Sequence, residues 1–246
     1  MKSSIKKITG LVLAFTLVLS ENPLTGVQAA QTKLGQYDKL FGFSDGIARV
    51  EKGETVVEGI TEGFIDKDGN EIVKPQYDNA HDFSDGLAMY MDKNGKCGYI
   101  NKEGKIVISP KYDYAAGFSE GLALASKNGK YRFIDKNGKE VIKLKYDSAS
   151  NFSDGLAMIG KNGKYGYINK KGKVIVKPKY VYAGNFSEGL AWVADKNWKY
   201  GYINKKGKTA LKLNYDGADD FSEGWAAVSQ NGKRYFIDKK GKIVLQ

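Results

Sequence analysis

One tetrapeptide recurs along this chain and constrains its fold more than any other feature. The sequence Phe-Ser-Asp/Glu-Gly occurs six times, beginning at Phe43, Phe83, Phe118, Phe152, Phe186 and Phe221. Successive copies lie 34 to 40 residues apart, a period that indicates a tandem-repeat architecture. Since a unit of this size cannot bury its own apolar face, the units must stack on their neighbours.

The fourth unit serves as the type for the strand and turn signals of the array. An apolar run at residues 156–159 is followed by an Asn162-Gly163 hairpin turn, an aromatic return strand at residues 165–169 and a third apolar run at residues 174–176. Asn-Gly is the strongest short hairpin signal because both positions tolerate positive φ. No helical periodicity is present. We therefore predict an all-β protein made of six three-stranded antiparallel β-meander units.

The residues before the array have the order of a secretory signal. A basic start precedes an apolar run at residues 8–19 and a small-residue cleavage site at residues 27–30. That run is shorter than the about 20 residues of a membrane span, so we expect cleavage after Ala29 or Ala30; an uncleaved N-terminal anchor is the alternative. The predicted organisation is a signal peptide at 1–29, a linker at 30–36 and repeats at 37–76, 77–111, 112–145, 146–179, 180–214 and 215–246.

Six units can be arranged in two ways. Each unit offers three strands where a propeller blade usually has four, and residues 31–36 supply no obvious extra strand, so we predict an open, curved, solenoid-like array. A closed, propeller-like ring of six blades is the alternative. The first unit also carries a five-residue insertion with Glu51, Glu54 and Glu58, which we interpret as a cap on the open end.

Aligning the units with one another predicts which side chains face the core. Alanine occupies one slot in every unit, and the slot two residues later is mostly apolar, so both are predicted to point inward. The slot between them varies in chemistry, which is typical of an exposed or partly exposed face. It holds Arg49, Met89, Leu124, Met158, Trp192 and Ala227.

The return strands carry a family signature. Tyr165-Gly166, Tyr200-Gly201 and Cys97-Gly98 each precede Tyr-Ile-Asn-Lys. These residues resemble the WG-repeat family, bacterial proteins built from tandem β units whose return strand carries Trp-Gly or Tyr-Gly. The glycine is absent at Tyr131-Arg132 and Arg234-Tyr235. The resemblance implies a tandem-repeat binding or structural module and supplies no catalytic residues.

Two motifs imitate reactive sites. Residues 42–46 and 117–121 match the Gly-x-Ser-x-Gly nucleophile elbow, which needs a strand-to-helix turn and an activating histidine. No helix is predicted here, and a turn whose hydroxyl and carboxylate satisfy local amides explains all six copies. Residues 66–70 imitate a calcium loop, but Tyr77 stands where that loop needs a bidentate glutamate. We therefore predict a hairpin turn there, no enzyme activity, no cofactor and no metal site.

The single cysteine and the single histidine have structural interpretations. Cys97 excludes an internal disulfide because it has no partner cysteine, and its place in a predicted strand favours a buried, inert thiol. His81 is predicted to be a solvated loop residue.

The charge of the chain suggests the chemistry of a partner. The net charge is +11, and it becomes +9 once the leader with Lys2, Lys6, Lys7 and Glu21 is removed. Lysines dominate, and they either adhere to anionic polymers by salt-screened attraction or simply solvate hairpin tips. The arginines that specific nucleic-acid readers favour are few. We therefore expect an anionic cell-envelope polymer or a protein as partner, and no specific nucleic acid.

Two tryptophans of the fifth unit are candidate contact residues. Trp198 replaces a turn glycine, so its indole is predicted at a hairpin tip, and Trp192 occupies the variable slot of the same unit. An exposed tryptophan pair is suited to stack on a sugar ring or to anchor a protein contact; an ordinary packed strand residue is the alternative for Trp192. The sequence thus predicts a secreted or cell-surface, non-enzymatic binding module at the cell envelope. A purely structural spacer is the alternative, and an enzyme-associated module is less favoured.

Overall fold

The structure is a computed structural model that describes residues 34–53 and 59–245. Its strands are β1 Lys39–Ser44, β2 Ile47–Lys52, β3 Thr61–Asp66, β4 Glu71–Tyr77, β5 Asn79–Ala80, β6 Leu87–Met91, β7 Cys97–Asn101, β8 Ile106–Tyr112, β9 Tyr114–Ala115, β10 Ala123–Lys127, β11 Lys130–Ile134, β12 Glu140–Lys143, β13 Ser148–Ala149, β14 Leu156–Lys161, β15 Lys164–Asn169, β16 Val174–Tyr180, β17 Tyr182–Ala183, β18 Leu190–Ala194, β19 Tyr200–Asn204, β20 Thr209–Tyr215, β21 Gly217–Ala218, β22 Trp225–Gln230, β23 Lys233–Asp238 and β24 Ile243–Leu245. The prediction of an all-β fold is confirmed.

Some predicted features fall outside the described residues. They are the signal peptide at 1–29, most of the linker at 30–36, and Glu54 and Glu58 of the first unit's insertion. Within the described ranges, no helix is long and apolar enough to cross a membrane.

Each unit has one strand more than predicted. The 24 strands form six four-stranded antiparallel sheets, each with neighbouring strands in chain order. In five of the sheets the extra strand is two residues long; in the fifth unit Tyr182 and Ala183 pair with Ala194 and Val193 of β18. Two residues are too few to show an alternating pattern. The prediction of three-stranded units is therefore wrong, and each unit is a four-stranded meander.

The turns follow the residue types that predicted them. Asn162 and Gly163 have φ of 51° and 69°, which is the pair of positive values that a type I′ hairpin requires. Gly172 in the second turn has φ of 74°. At the calcium-like segment, the Asp66 carboxylate accepts hydrogen bonds from the amides of Asp68 and Asn70 at 2.9 and 2.8 Å. That segment is a hairpin turn, as predicted.

The glycine of the return strand lies where the fourth strand crosses close to it. A Cβ at Gly166 would lie 2.3 Å from the Val176 carbonyl oxygen and 2.7 Å from the Pro178 nitrogen, because β16 bulges toward β15 between its pairs with Tyr165 and Tyr167. The third unit has Arg132 in this slot, and there the shorter β12 pairs Lys143 directly with Arg132. The glycine and the bulged fourth strand therefore occur together.

The core lies between the units. Each internal joint buries the motif phenylalanine of one unit against the aromatic ring of the preceding unit, with ring centroids 4.5 to 5.0 Å apart. The five pairs are Phe64–Phe83, Tyr99–Phe118, Phe133–Phe152, Tyr167–Phe186 and Tyr202–Phe221. Four of the pairs are edge-on and Phe133–Phe152 is tilted. Because such aromatic contacts stabilise beyond simple area burial, these rings help to hold the stack together.

The array is open. The apolar clusters join each unit to its sequence neighbours, and among the described residues none joins the sixth unit to the first. The prediction of an open array is confirmed. Its argument from the strand count was wrong, because each unit has the four strands of a propeller blade.

Candidate functional site

The recurring tetrapeptide forms the joints between units. Its serine hydroxyl donates a hydrogen bond to the carbonyl of the next unit's motif phenylalanine, at 2.5 to 2.8 Å in five joints. The two serines of the elbow-like motifs, Ser44 and Ser119, bond in this way to Phe83 and Phe152. The prediction that the hydroxyl satisfies a local amide is wrong, because its partner lies one repeat away.

The acidic residue of the motif also reaches across the joint. The Asp154 carboxylate accepts a hydrogen bond from the Gly189 amide at 2.5 Å, and the other four internal joints repeat this contact. Asp154 has φ of 54°, a left-handed conformation that acidic residues tolerate in turns. The serine and the acidic residue of the motif thus both bond to the next unit, and the motif is structural.

In the first five units the variable slot lies inside the joints as well. Met89, Leu124 and Ala227 are 2, 3 and 7% exposed, and Arg49, Met158 and Trp192 are half-buried. The prediction of an exposed face is wrong for these three: Met89 and Leu124 pack in apolar clusters shared with the next unit, and Ala227 is buried in the sixth unit. The chemical variety of this slot therefore reflects a different contact in each joint.

A buried ion pair occupies the first joint. Arg49 donates to the carboxylate of Glu62, which is 7% exposed, and its Nε donates to Asp82 of the second unit at 3.0 Å. The second Glu62 oxygen accepts a hydrogen bond from the Ala80 amide. Sequence reasoning missed Glu62, although it stands alone as an acid in a slot that Cys97, Tyr131, Tyr165 and Tyr200 fill elsewhere.

Trp192 belongs to the joint between the fifth and sixth units. Its ring lies 5.8 Å from that of Tyr200, and its indole donates a hydrogen bond to the Asp220 carboxylate. Burial raises the pKa of Asp220, and the indole hydrogen bond opposes that rise. Of the two interpretations weighed from the sequence, this placement favours a packed strand residue.

Trp198 lies on the surface with a tyrosine that sequence reasoning missed. It is 58% exposed at its hairpin tip, with φ of 59° where the second unit has Gly95 at 70°. Its ring centroid lies 5.2 Å from that of Tyr182, which is 43% exposed. We call this pair the Tyr182–Trp198 platform. The available signal was Tyr182 itself, an aromatic residue in a slot that holds Asn79, Ser148 and Gly217 in three other units and Tyr114 in the third.

The two tryptophans therefore do not form one site, since each ring stacks with a different tyrosine. Beside the platform, Lys199 lies 2.6 Å from the carboxylate of Asp216, and this hydrogen bond lowers the pKa of Asp216. The platform thus presents two aromatic faces next to an exposed, ion-paired lysine.

The remaining candidate residues have ordinary environments. Cys97 is 2% exposed in β7, and burial raises the pKa of its thiol, so the predicted burial of this cysteine is confirmed. His81 lies in an exposed loop, as predicted. In the described part of the chain, no three histidine, cysteine or acidic side chains are grouped closely enough to hold a metal ion.

Comparison with known proteins identifies the repeat. The family model described as "WG containing repeat" matches residues 35–55, 63–97, 98–131, 131–165, 165–197 and 200–233. No curated protein matches the chain.

Solved structures show similarity at the level of the fold. The crystal structure of a eukaryotic initiation factor is 12% identical with a TM-score of 0.56; the match covers 85% of this chain and 64%, less than two thirds, of that chain. BamB from Moraxella catarrhalis is 12% identical over 82% of this chain and 74% of its own, with a TM-score of 0.46. The WD40 β-propeller domain of Doa1 is 15% identical over 80% of this chain and 73% of its own, with a TM-score of 0.37.

Proposed function

The chain belongs to the WG-containing repeat family, and from that premise we propose that it is a secreted, non-enzymatic binding module that acts at the cell envelope. The observation that carries this proposal is the Tyr182–Trp198 platform. The motifs that resemble catalytic or metal sites are occupied by joint-forming and turn-forming hydrogen bonds. The platform instead presents aromatic surface that the fold does not bury.

The backbone of Trp198 supports a role beyond folding. A non-glycine residue in the left-handed region costs about 1–2 kcal/mol, and Trp198 adopts φ of 59° while 58% of it remains exposed. A glycine would form the same turn without that cost, as Gly95 does in the second unit. Contact with a partner offsets the cost, because a tryptophan that becomes buried in an interface contributes strongly to binding.

The lysines suggest an anionic partner. The second turns of the fourth, fifth and sixth units each carry three exposed lysines, at 170, 171 and 173, at 205, 206 and 208, and at 239, 240 and 242. Two of them are paired across joints, Lys170 with Glu120 and Lys239 with Glu188. An anionic envelope polymer that contains sugar rings fits both the exposed lysines and the Tyr182–Trp198 platform. Its negative charges attract the lysines, and its sugar rings stack on the platform.

Replacing Trp198 with glycine tests the platform. We expect the free energy of unfolding to stay the same or to rise, since the strained φ is relieved. Binding to purified envelope polymer should weaken by about 1–3 kcal/mol, the range for an interface aromatic of moderate importance. Co-sedimentation with the polymer gives the affinity, and urea denaturation gives the stability.

The matched control is Gly95→Trp, which places an indole on the equivalent turn of the second unit. There the neighbouring slot holds Asn79 instead of a tyrosine, so we expect lower stability from the positive φ and no added binding. If Trp198→Gly unfolds more easily and binds as before, Trp198 packs against its own array and the spacer interpretation is favoured.

The salt dependence of binding tests the lysines. Attraction between the exposed lysines and an anionic polymer sums over units and is screened by ions, so retention on envelope material should fall steadily as salt is raised above physiological strength. Column retention at increasing salt measures this. Trp198→Gly should lower retention at every salt concentration without changing the slope. Retention that is insensitive to salt would contradict the electrostatic part of the proposal.

A further inference from the structure

The sixth unit presents one sheet face that no described residue covers. In every other unit the corresponding face packs on the next unit, and its aromatic slot is 0% exposed at Phe64, Tyr99, Phe133, Tyr167 and Tyr202. In the sixth unit the same slot holds Phe236, which is 43% exposed. We call this surface the terminal face and define it by the exposed side chains of Trp225, Arg234, Phe236 and Leu245.

The opposite end of the array is partly covered by the chain itself. Leu34, Tyr37 and Leu40 pack on the outward side of the first unit, where they bury Ala48, Val50 and Ile65 to 2% exposure or less. Phe43 on the same side remains 46% exposed, so this end is partly covered by the chain, whereas no described residue covers the face of the sixth unit. Association of two copies through their sixth units leaves the partly covered ends unchanged.

The terminal face differs chemically from the five internal faces. Trp225 is 45% exposed and stands where those faces have isoleucine or leucine at 5 to 9% exposure. Arg234 stands where they have glutamate, cysteine or tyrosine. Tryptophan and arginine are the residue types enriched at the energetic centres of protein interfaces. This face is therefore suited to contact a protein surface other than the face that the next repeat presents at an internal joint.

The charges at its rim complement one another under a two-fold rotation. Arg234 is paired with Asp219 at 2.7 Å, yet the two side chains remain 69 and 61% exposed. Asp220 accepts the hydrogen bond of Trp192. Glu223 is exposed, and no described residue pairs with its carboxylate. A patch that carries an arginine on one side and a free acid on the other, around an apolar centre, can bind a copy of itself.

We propose that two copies of this chain form an isologous dimer through their terminal faces. Trp225 and Phe236 of one protomer pack on the same residues of the other, and each Arg234 faces Glu223 of the partner subunit. The contact covers one sheet face per protomer, so the dimer is of the weak class that small interfaces form. Closure under a two-fold axis stops the assembly at two copies.

Analytical ultracentrifugation of the purified protein over a wide concentration range tests this assembly. The mass should rise from one chain to two and then stop. Trp225→Ser should raise the dimer dissociation constant at least about tenfold, as expected for a central interface tryptophan. The control is Ile106→Ser in β8, which removes an apolar side chain that is 58% exposed but lies away from the terminal face; its dissociation constant should not change. A monomer at all concentrations, or growth beyond two copies, would overturn the proposal.

A charge-swap experiment tests the pairing directly. Arg234→Glu alone and Glu223→Arg alone each place like charges across the two-fold axis, so each should dimerise at least about tenfold more weakly than the parent. An equimolar mixture of the two variants should recover dimers, because the mixed pair restores opposite charges at both contacts. Both positions are exposed, and an unchanged melting temperature verifies that the variants are folded. A mixture that stays monomeric would reject the Arg234–Glu223 contact and with it the proposed dimer.

Discussion

Replacing Arg49 with methionine is expected to lower the free energy of unfolding by about 3–5 kcal/mol, the usual loss when one partner of a buried ion pair is removed. Glu62 would stay 7% exposed without its cation, and Asp82 would lose the hydrogen bond from Arg49 Nε. Because the stability of a repeat array is nearly a sum of unit and joint terms, the loss should concentrate in the first joint. Urea denaturation measures its size, and amide hydrogen exchange in β2 to β6 shows its location.

The second unit supplies a matched rescue for that variant. Its equivalent positions hold Met89 and Cys97, both 2% exposed, and the Cys97 sulfur accepts an amide hydrogen bond from Ala115 much as Glu62 accepts one from Ala80. The double variant Arg49→Met, Glu62→Cys should therefore recover most of the lost stability, since no charge remains buried without a partner. A loss below about 1 kcal/mol for Arg49→Met alone would mean that water solvates Glu62 and that the pair contributes little.

The period and the turns of this fold were readable from the sequence because both depend on local chemistry. Asn162-Gly163 specifies its hairpin through positive φ at two successive residues. The fourth strand was not readable, because Tyr182 and Ala183 are too short a segment to carry a pattern. The open arrangement was predicted correctly for a reason that proved wrong. Its actual basis is that the apolar clusters join each unit only to its sequence neighbours, and among the described residues none joins the sixth unit to the first.

The candidate sites were harder to predict because side chains of one repeat act on the next. The motif serine and acid were expected to bond locally, yet Ser153 and Asp154 bond to Phe186 and Gly189, more than thirty residues away. Variation at the slot of Arg49 and Trp192 suggested exposure, although it reflects the different partner in each joint. The exposed position of Trp198 followed correctly from local turn geometry. Tyr182 was missed because its contact with Trp198 depends on pairing between β17 and β18.

Replacing Gly166 with alanine is expected to lower the free energy of unfolding by about 3 kcal/mol, the upper part of the range for forced overpacking. The added Cβ would lie 2.3 Å from the Val176 carbonyl oxygen and 2.7 Å from the Pro178 nitrogen. Both atoms belong to the backbone of β16, so no side-chain rotation can relieve the overlap. Either β16 moves away from β15 and loses ladder hydrogen bonds, or the unit unfolds at lower urea.

The control for Gly166→Ala is Gly42→Ala, because a Cβ at Gly42 meets no atom within 4 Å and its φ is not positive. That variant should be neutral or slightly stabilising, since alanine restricts the unfolded chain more than glycine does. The third unit shows what a tolerated substitution needs. Arg132 fills the same slot there, and β12 pairs Lys143 directly with it, without the bulge that β16 has opposite Gly166. Removing the bulge from β16 should therefore make Gly166→Ala harmless. If Gly166→Ala is neutral with the bulge intact, close approach of the fourth strand is not the reason for this glycine, and the family's Tyr-Gly dipeptide needs another physical explanation.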